Sequence, residues 1–235
     1  TYYAYVRGKV ISFRLDDRAI KEKDRKEAKD LASRYFDLAY TYAARPERKM
    51  LILTAGLMGT GKSVLASRLA SRFDADVIRM DVVRKEMFHI APMEHRYEDF
   101  GKGIYSEEVS RKVYGRALEA AALKLREGKS VIIDASFKDR TERLRAAQIA
   151  AELQADFFIL ECALPDRLIT KRLAARMSEK GAVSDGRTDI LEAQKRDFES
   201  IDEVPARSHI VIDTSQDPES CAHRVIVEIK KRRTP

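Results

Sequence analysis

The octapeptide Gly56-Leu57-Met58-Gly59-Thr60-Gly61-Lys62-Ser63 follows an apolar run, Met50–Ala55, and opens an amphipathic stretch, Lys62–Phe73. A turn of the form G-x-x-x-x-G-K-[ST] between a buried strand and a helix is a phosphate-binding loop. Its glycines let the backbone curl and turn N–H groups inward without Cβ clashes. Those groups, with the positive end of the next helix, hold phosphate oxygens. Lys62 reaches the β- and γ-phosphates, and the Ser63 hydroxyl is a ligand for Mg²⁺. Gly56, Met58, Gly59, Thr60, Gly61, Lys62, Ser63 and Val64 are therefore the candidate nucleotide-binding residues. ATP is the expected nucleotide, with GTP as the alternative.

Strand and helix patterns alternate beyond this loop. Ala75–Met80 reads as a short strand and Val82–His89 as a helix; the stretch from Ala91 to Gly103 is irregular. A helix over Glu107–Glu127 is stopped by Gly128. Strands over Ser130–Ala135, Asp156–Cys162 and His209–Asp213 interleave with helices over Asp139–Leu153, Pro165–Met177, Asp189–Ile201 and Pro218–Lys231. Such alternation implies right-handed crossovers and a mostly parallel five-stranded sheet with helices on both faces. In sheets of this kind ligands bind beyond the carboxyl ends of the strands. Residues 1 to 48 read differently. A helical pattern runs from about Ala19 to Ala44, residues 2–14 fit either a helix or an extended segment, and Arg45-Pro46-Glu47-Arg48 is a linker. The expected organisation is thus a helical N-terminal segment, 1–48, and an α/β domain, 49–235.

The 235 residues carry a net charge of +7, but most of the basic residues alternate with acids, as in Lys21-Glu22-Lys23-Asp24-Arg25-Lys26-Glu27. That is the pattern of solvated helix faces more than of a nucleic-acid surface. No apolar run approaches the ~20 residues needed to cross a bilayer, so no membrane partner is expected. Two cysteines, Cys162 and Cys221, lack metal-ligand spacing and suit a reducing, cytoplasmic setting. The first residue is Thr1, not methionine, which suggests a processed chain or one cut from something longer.

Two aspartates end strand patterns. Asp81 closes the second strand, with Arg84 one helical turn on. A carboxylate there can accept a proton from an acceptor hydroxyl, and an arginine can hold an anionic acceptor or the transferring group. Asp81 as a mere helix cap is the plainer alternative. Asp134 ends Val131-Ile132-Ile133, the form of a carboxylate that holds Mg²⁺ together with Ser63. The residues alone leave open which aspartate is base and which is metal ligand. Arg172 and Arg176 share a face of the helix after the fourth strand, and with the loop to Thr188, including Asp185 and Arg187, they suit a basic lid at about 166–190. Gln194 and Asp185 are candidate lid anchors only.

The segments GLMGTGKS, RMDVVRKE, GIYSEEVSRKVY, SVIIDASFKDRTER and LAARMSEKGAVSDGR resemble the P-loop kinase-like proteins of the zeta-toxin and polynucleotide-kinase group. They are especially similar to the ATP-binding half of bacterial fusions of an aminoglycoside-phosphotransferase-like domain with a P-loop kinase domain. The resemblance runs from about Met50 to the end. Residues 2 to about 44 look like the tail of the upstream phosphotransferase-like domain, whose catalytic motifs are absent here. The resemblance implies the strand order 2-3-1-4-5, a mobile lid, Asp81 in the place of the general base, Arg84 in that of an acceptor-phosphate ligand, and Arg172 and Arg176 as lid arginines. It fixes the phosphate donor better than the acceptor, because acceptors in the group range from nucleic-acid 5′-hydroxyls to nucleotide sugars and small molecules.

The expected function is transfer of the γ-phosphate of Mg-ATP to a hydroxyl of a small-molecule or nucleotide-type acceptor. Lys62, Asp81, Arg84, Arg172 and Arg176 are the candidate catalytic residues, and Ser63 and Asp134 the candidate metal ligands. The alternatives are a regulatory module that binds nucleotide without transferring phosphate, and a nucleic-acid 5′-hydroxyl kinase. No aromatic stacking platform is visible to support the latter.

Overall fold

A computed structural model describes residues 2–17, 19–43, 48–90, 103–178 and 187–233. The chain divides into two compact units, Thr1–Glu47 with Ser71–Asp74, and Arg48–Ala70 with Ala75–Pro235.

In the first unit, helix α1 (Tyr2–Ser12) and helix α2 (Glu22–Ala43) are joined by a 3-10 turn at Phe13–Asp16. The segment that the sequence left between helix and strand is therefore helical, despite Gly8. The reason is packing. A Cβ on Gly8 would stand 3.0 Å from ring carbons of Phe36, so the glycine lets α1 close on α2. Helix α2 begins at Glu22, later than the periodicity suggests. Asp17 instead accepts from the Ala19 N–H (2.9 Å), while Arg25 reaches back to the carbonyls of Leu15 (2.8 Å) and Asp17 (3.1 Å). Such a local turn competes with helix for the same backbone groups.

The second unit is built on five parallel strands: β1 (Met50–Ala55), β2 (Ala75–Arg79), β3 (Ser130–Asp134), β4 (Asp156–Ala163) and β5 (His209–Asp213). Their spatial order is β2-β3-β1-β4-β5, as the resemblance implied. Every residue of β1 and of β3 is buried, which follows from their continuous apolar runs at the centre of a sheet covered on both faces. Strand β1 pairs with β3 through Leu51–Leu53 and with β4 through Met50–Ala55. The helices are α3 (Lys62–Phe73), α4 (Met80–Met87), α5 (Glu107–Arg126), α6 (Arg140–Glu152), α7 (Asp166–Ser178), α8 (Arg187–Asp197) and α9 (Pro218–Arg233). Helix α5 covers the sheet with Val113, Ala117, Ala121 and Leu125, its intervals of four, against Leu51, Leu53 and Ile133. It ends at Gly128 (φ +82°), whose N–H bonds to Leu125 and whose successor Lys129 bonds to Lys124, both at 3.0 Å. That is the left-handed helix stop expected of a glycine.

One boundary differs with consequence. Strand β2 ends at Arg79 and α4 starts at once with Met80. Asp81 is therefore an exposed residue of the first helical turn, neither the last residue of a strand nor a cap on a helix starting at Val82. Among the described residues no helix is long and apolar enough to cross a membrane.

Candidate active site

The carboxyl ends of β1 and β3 are neighbours, so the loop after β1 and the aspartate that ends β3 lie side by side. The Thr54 hydroxyl joins them. It accepts from the Ala135 N–H (3.1 Å) and lies 3.3 Å from Asp134 Oδ1 and 3.1 Å from the Ala135 carbonyl. Asp134 is almost wholly enclosed, at 8% exposure.

The loop has the backbone its glycines permit. Gly56, Gly59 and Gly61 take φ values of +124°, +76° and +91°. At Gly56 a Cβ would stand 2.6 Å from the carbonyl oxygen of Cys162 on β4, so no other residue fits. The Gly56 N–H is held by the Ser136 carbonyl (3.1 Å) and Thr60 bonds across the loop to the Leu57 carbonyl (2.8 Å). Lys62 folds over the loop, its ammonium 3.0 Å from the Gly56 carbonyl and 2.7 Å from that of Leu57. Ser63 and Val64 are exposed at the start of α3. The backbone N–H of Met58 donates to Oε1 of Gln194 on α8 (2.9 Å).

Helix α7 packs directly on the loop. Ile169 and Leu173, with Leu191 of α8, form a small core with Leu57, Met58 and Leu164. Ile169 and Leu173 come within 3.3 Å of where a Cβ on Gly59 would be. Arg172 crosses above Gly61, with Nη1 3.4 Å from the position of a Cβ there and Nη2 donating to the Thr214 carbonyl at 2.7 Å. Arg172 is thus beside the phosphate loop. The side chains of Arg176 and Arg187 lie outside the described residues, as do Asp185, His95, Arg96 and Tyr97. His89 is placed just past α4 with φ +52°.

Arg84 sits one turn after Asp81 on α4, but it turns inward and is only 7% exposed. Its guanidinium donates to the Ile104 carbonyl and lies 3.5 Å from the Ser110 hydroxyl, with its carbon 4.9 Å from the centre of the Tyr105 ring. Nε is buried without a partner among the described residues. Burial pulls its pKa below the ordinary guanidinium range, with Tyr105 and Asp81 acting in opposition. Arg84 thereby fixes the turn at Gly103–Tyr105 that leads into α5.

The turn after β3 is held by groups that the motifs do not reveal. The Tyr114 hydroxyl accepts from the Phe137 N–H at 3.2 Å, and burial pushes its pKa up to about 12. Arg143 of α6 is fully enclosed and donates to the carbonyls of Phe137 and Lys138, each at 2.9 Å. The one signal for Arg143 is its spacing: it shares the buried stripe of α6 with Ala146 and Ala150. Cys162 is buried, which pushes its thiol up to about 12 and leaves it inert at neutral pH.

Among the described residues no three or more His, Cys, Asp or Glu side chains come together to hold a metal unaided. The oxygen donors available, the Ser63 hydroxyl and the Asp134 carboxylate, suit Mg²⁺, which keeps several waters and takes much of its shell from nucleotide phosphates.

A phosphate loop on the central strand, an enclosed aspartate on the adjacent strand and a helix packed over the loop define a P-loop kinase-like domain. The chain belongs to the family described as AAA domain, whose model matches residues 51–201. It is 30% identical over 202 residues to an uncharacterized protein of Mycobacterium tuberculosis (strain H37Rv), covering 85% of this chain and 39% of that protein. The chain therefore spans about two fifths of that relative's length. Over 109 residues it is 30% identical to a shikimate kinase of Paramagnetospirillum magneticum, covering 46% of this chain and 53% of the other. Its fold is similar to that of the Mycobacterium tuberculosis APS kinase CysC in complex with AMPPNP and APS, with a TM-score of 0.54, 19% identity, and coverage of 79% and 99%.

Proposed function

We propose that the chain is an ATP- and Mg²⁺-dependent phosphotransferase that moves the γ-phosphate to a hydroxyl of a small-molecule or nucleotide-type acceptor. The observation that carries this reading is the direct adjacency of the two strand ends, β1 with the phosphate loop and β3 with Asp134, bridged by Thr54. The similarity to a shikimate kinase supports the same chemistry, as does the fold shared with an APS kinase complexed with AMPPNP.

The loop N–H groups and Lys62 hold the triphosphate; Lys62 exchanges its contacts with the Gly56 and Leu57 carbonyls for β- and γ-phosphate oxygens. Mg²⁺, when bound, would neutralise charge on the phosphates, and Ser63 and Asp134 are the residues that would hold it. Asp81, exposed in the first turn of α4, orients the acceptor hydroxyl and takes its proton. Arg84 shapes the acceptor side through Ile104 and Tyr105. Arg172 and Arg176 bring positive charge to the transferring group from α7, where the lid would close. Rate enhancement comes from positioning and electrostatics more than from covalent chemistry. Residues 1–48 would join this domain to an upstream phosphotransferase-like part of a longer chain, and the whole would work in the cytoplasm.

The test is transfer of labelled γ-phosphate from Mg-ATP and Mg-GTP to a pool of nucleosides, nucleotides, sugars, aminoglycosides and short oligonucleotides. A labelled product that disappears in Asp81→Asn is the expected result, and its identity names the acceptor. Tight nucleotide binding with no transfer to any acceptor would overturn the reading in favour of a regulatory module.

A further inference from the structure

The Met58 N–H of the loop donates to a side chain from another part of the chain, Gln194 of α8, 136 residues away. The bond is not an isolated surface contact. Beside the loop lies a half-open pocket of about 240 Å³, lined by Gly56, Leu57, Thr60, Leu164, Lys195 and Phe198 among others. Outside the small core that takes up Leu57 and Met58, the loop therefore borders open space on this side, and its backbone gains from a strut. Gln194 supplies it. The residue after it, Lys195, fixes the helix by pairing with Asp166 at the start of α7 (2.6 Å) and with Glu192 (2.8 Å). Leu191, one turn before, is buried in the small core that holds Leu57 and Met58.

We infer that Gln194 is a positioning residue for nucleotide binding: through the Met58 N–H it holds the phosphate loop in its phosphate-receiving shape from α8. The inference rests on the reading of the loop as a nucleotide site. Gln194 itself touches no substrate. Its side-chain oxygen accepts the Met58 proton, so the neighbouring loop N–H groups stay fixed toward the phosphate position without reorganisation when the nucleotide arrives. A residue that merely stabilised α8 would leave the affinity of the folded protein unchanged.

The test uses the full chain with MgADP as probe. Gln194→Met keeps the length and apolar packing but removes the acceptor; Gln194→Glu keeps an acceptor oxygen. Amide exchange at Met58, followed by NMR without nucleotide, should be fast in Gln194→Met and slow in both the wild type and Gln194→Glu. Calorimetric titration should show MgADP bound about fivefold more weakly by Gln194→Met, the value of one neutral hydrogen bond, with the thermal midpoint within a few degrees of wild type. Wild-type affinity in Gln194→Met, or unchanged Met58 exchange, would overturn the inference while leaving the nucleotide site intact. Failure of the wild type to bind MgADP would overturn the nucleotide reading itself, and the inference with it.

Discussion

Arg143 and Glu203 form an ion pair whose side chains are 0% and 1% exposed, and it welds the turn after β3 to the segment after α8. Arg143 donates through Nε and Nη2 to the two carboxylate oxygens of Glu203. Its remaining donors reach the carbonyls of Phe137, Lys138 and Ser200, each at 2.9 Å. The same two segments are tied again by the Glu199 N–H to the Lys138 carbonyl (3.1 Å) and by Lys138 to Asp197 (3.2 Å). The turn that carries Asp134 into α6 and the segment that leaves α8 are thus one structural unit.

Removing one partner leaves the other charge enclosed and uncompensated. Arg143→Met should cost about 3–5 kcal/mol of stability. Urea unfolding at neutral pH checks it through the midpoint at constant slope. The double variant Arg143→Met/Glu203→Leu should recover much of the loss, because the apolar pair leaves no buried charge behind.

Burial alone would raise the Glu203 carboxyl, but the bonds from Arg143 and from backbone N–H groups hold its pKa below the usual carboxylate range. The folded pKa is depressed, so the ionised pair's contribution is present above the unfolded pKa of ~4.3 and is lost as pH falls through the folded value. The stability gap between wild type and Glu203→Gln should therefore be largest near neutrality and shrink below about pH 4. Denaturant titrations at several pH values measure that gap directly.

Two glycines of positive φ separate backbone strain from steric exclusion. Gly128 (φ +82°) has nothing within 4 Å of a Cβ, so Gly128→Ala should cost only the left-handed backbone penalty, about 1–2 kcal/mol. Gly56 (φ +124°) would push a Cβ to 2.6 Å from the Cys162 carbonyl, and there neither backbone can yield cheaply. Gly56→Ala should displace the loop from β4, with MgADP binding lost in calorimetry even where the protein still folds.

The five strands and the loop were legible because each rests on a local pattern: apolar runs, alternating helices and the spacing of Gly56, Gly61 and Lys62; the order of the strands came only from the family resemblance. What was not legible depends on contacts distant in sequence. Gly8 argued against a helix until Phe36 of α2 was placed against it. Arg84 reads as a ligand for an anionic acceptor one helical turn after Asp81, yet Ile104 and Ser110 draw its guanidinium inward. Arg143 looks like one more charge on an alternating helix until Glu203, 60 residues on, meets it. Asp81 was visible as a carboxylate at the sheet's edge, but its place inside α4 follows from the strand ending at Arg79.

In the proposed reaction Lys62 is the residue most directly tied to transfer. Lys62→Ala should lower phosphate transfer at least about 100-fold, the scale of losing one charge-stabilising donor. The fold should be retained, because the lysine's bonds to Gly56 and Leu57 are made within one loop. Circular dichroism and the thermal midpoint test the second half of that statement; transfer close to the wild-type rate would remove the basis of the proposed mechanism.

Asp81 and Asp134 should fail in different ways. Asp134 is enclosed beside the Thr54 hydroxyl at the loop's flank, whereas Asp81 is exposed on α4. If Asp134 holds Mg²⁺ with Ser63, Asp134→Asn loses a charged oxygen ligand, so the Mg²⁺ concentration for half-maximal transfer should rise and excess Mg²⁺ should restore part of the rate. If Asp81 takes the acceptor proton, Asp81→Asn should lower kcat by about 10²–10⁴-fold with an unchanged Mg²⁺ requirement, and no excess of the ion should help. Parallel Mg²⁺ titrations of transfer in the two variants decide the assignment. The opposite pattern, Mg²⁺ rescue of Asp81→Asn and not of Asp134→Asn, would exchange the two roles while keeping the phosphotransferase reading.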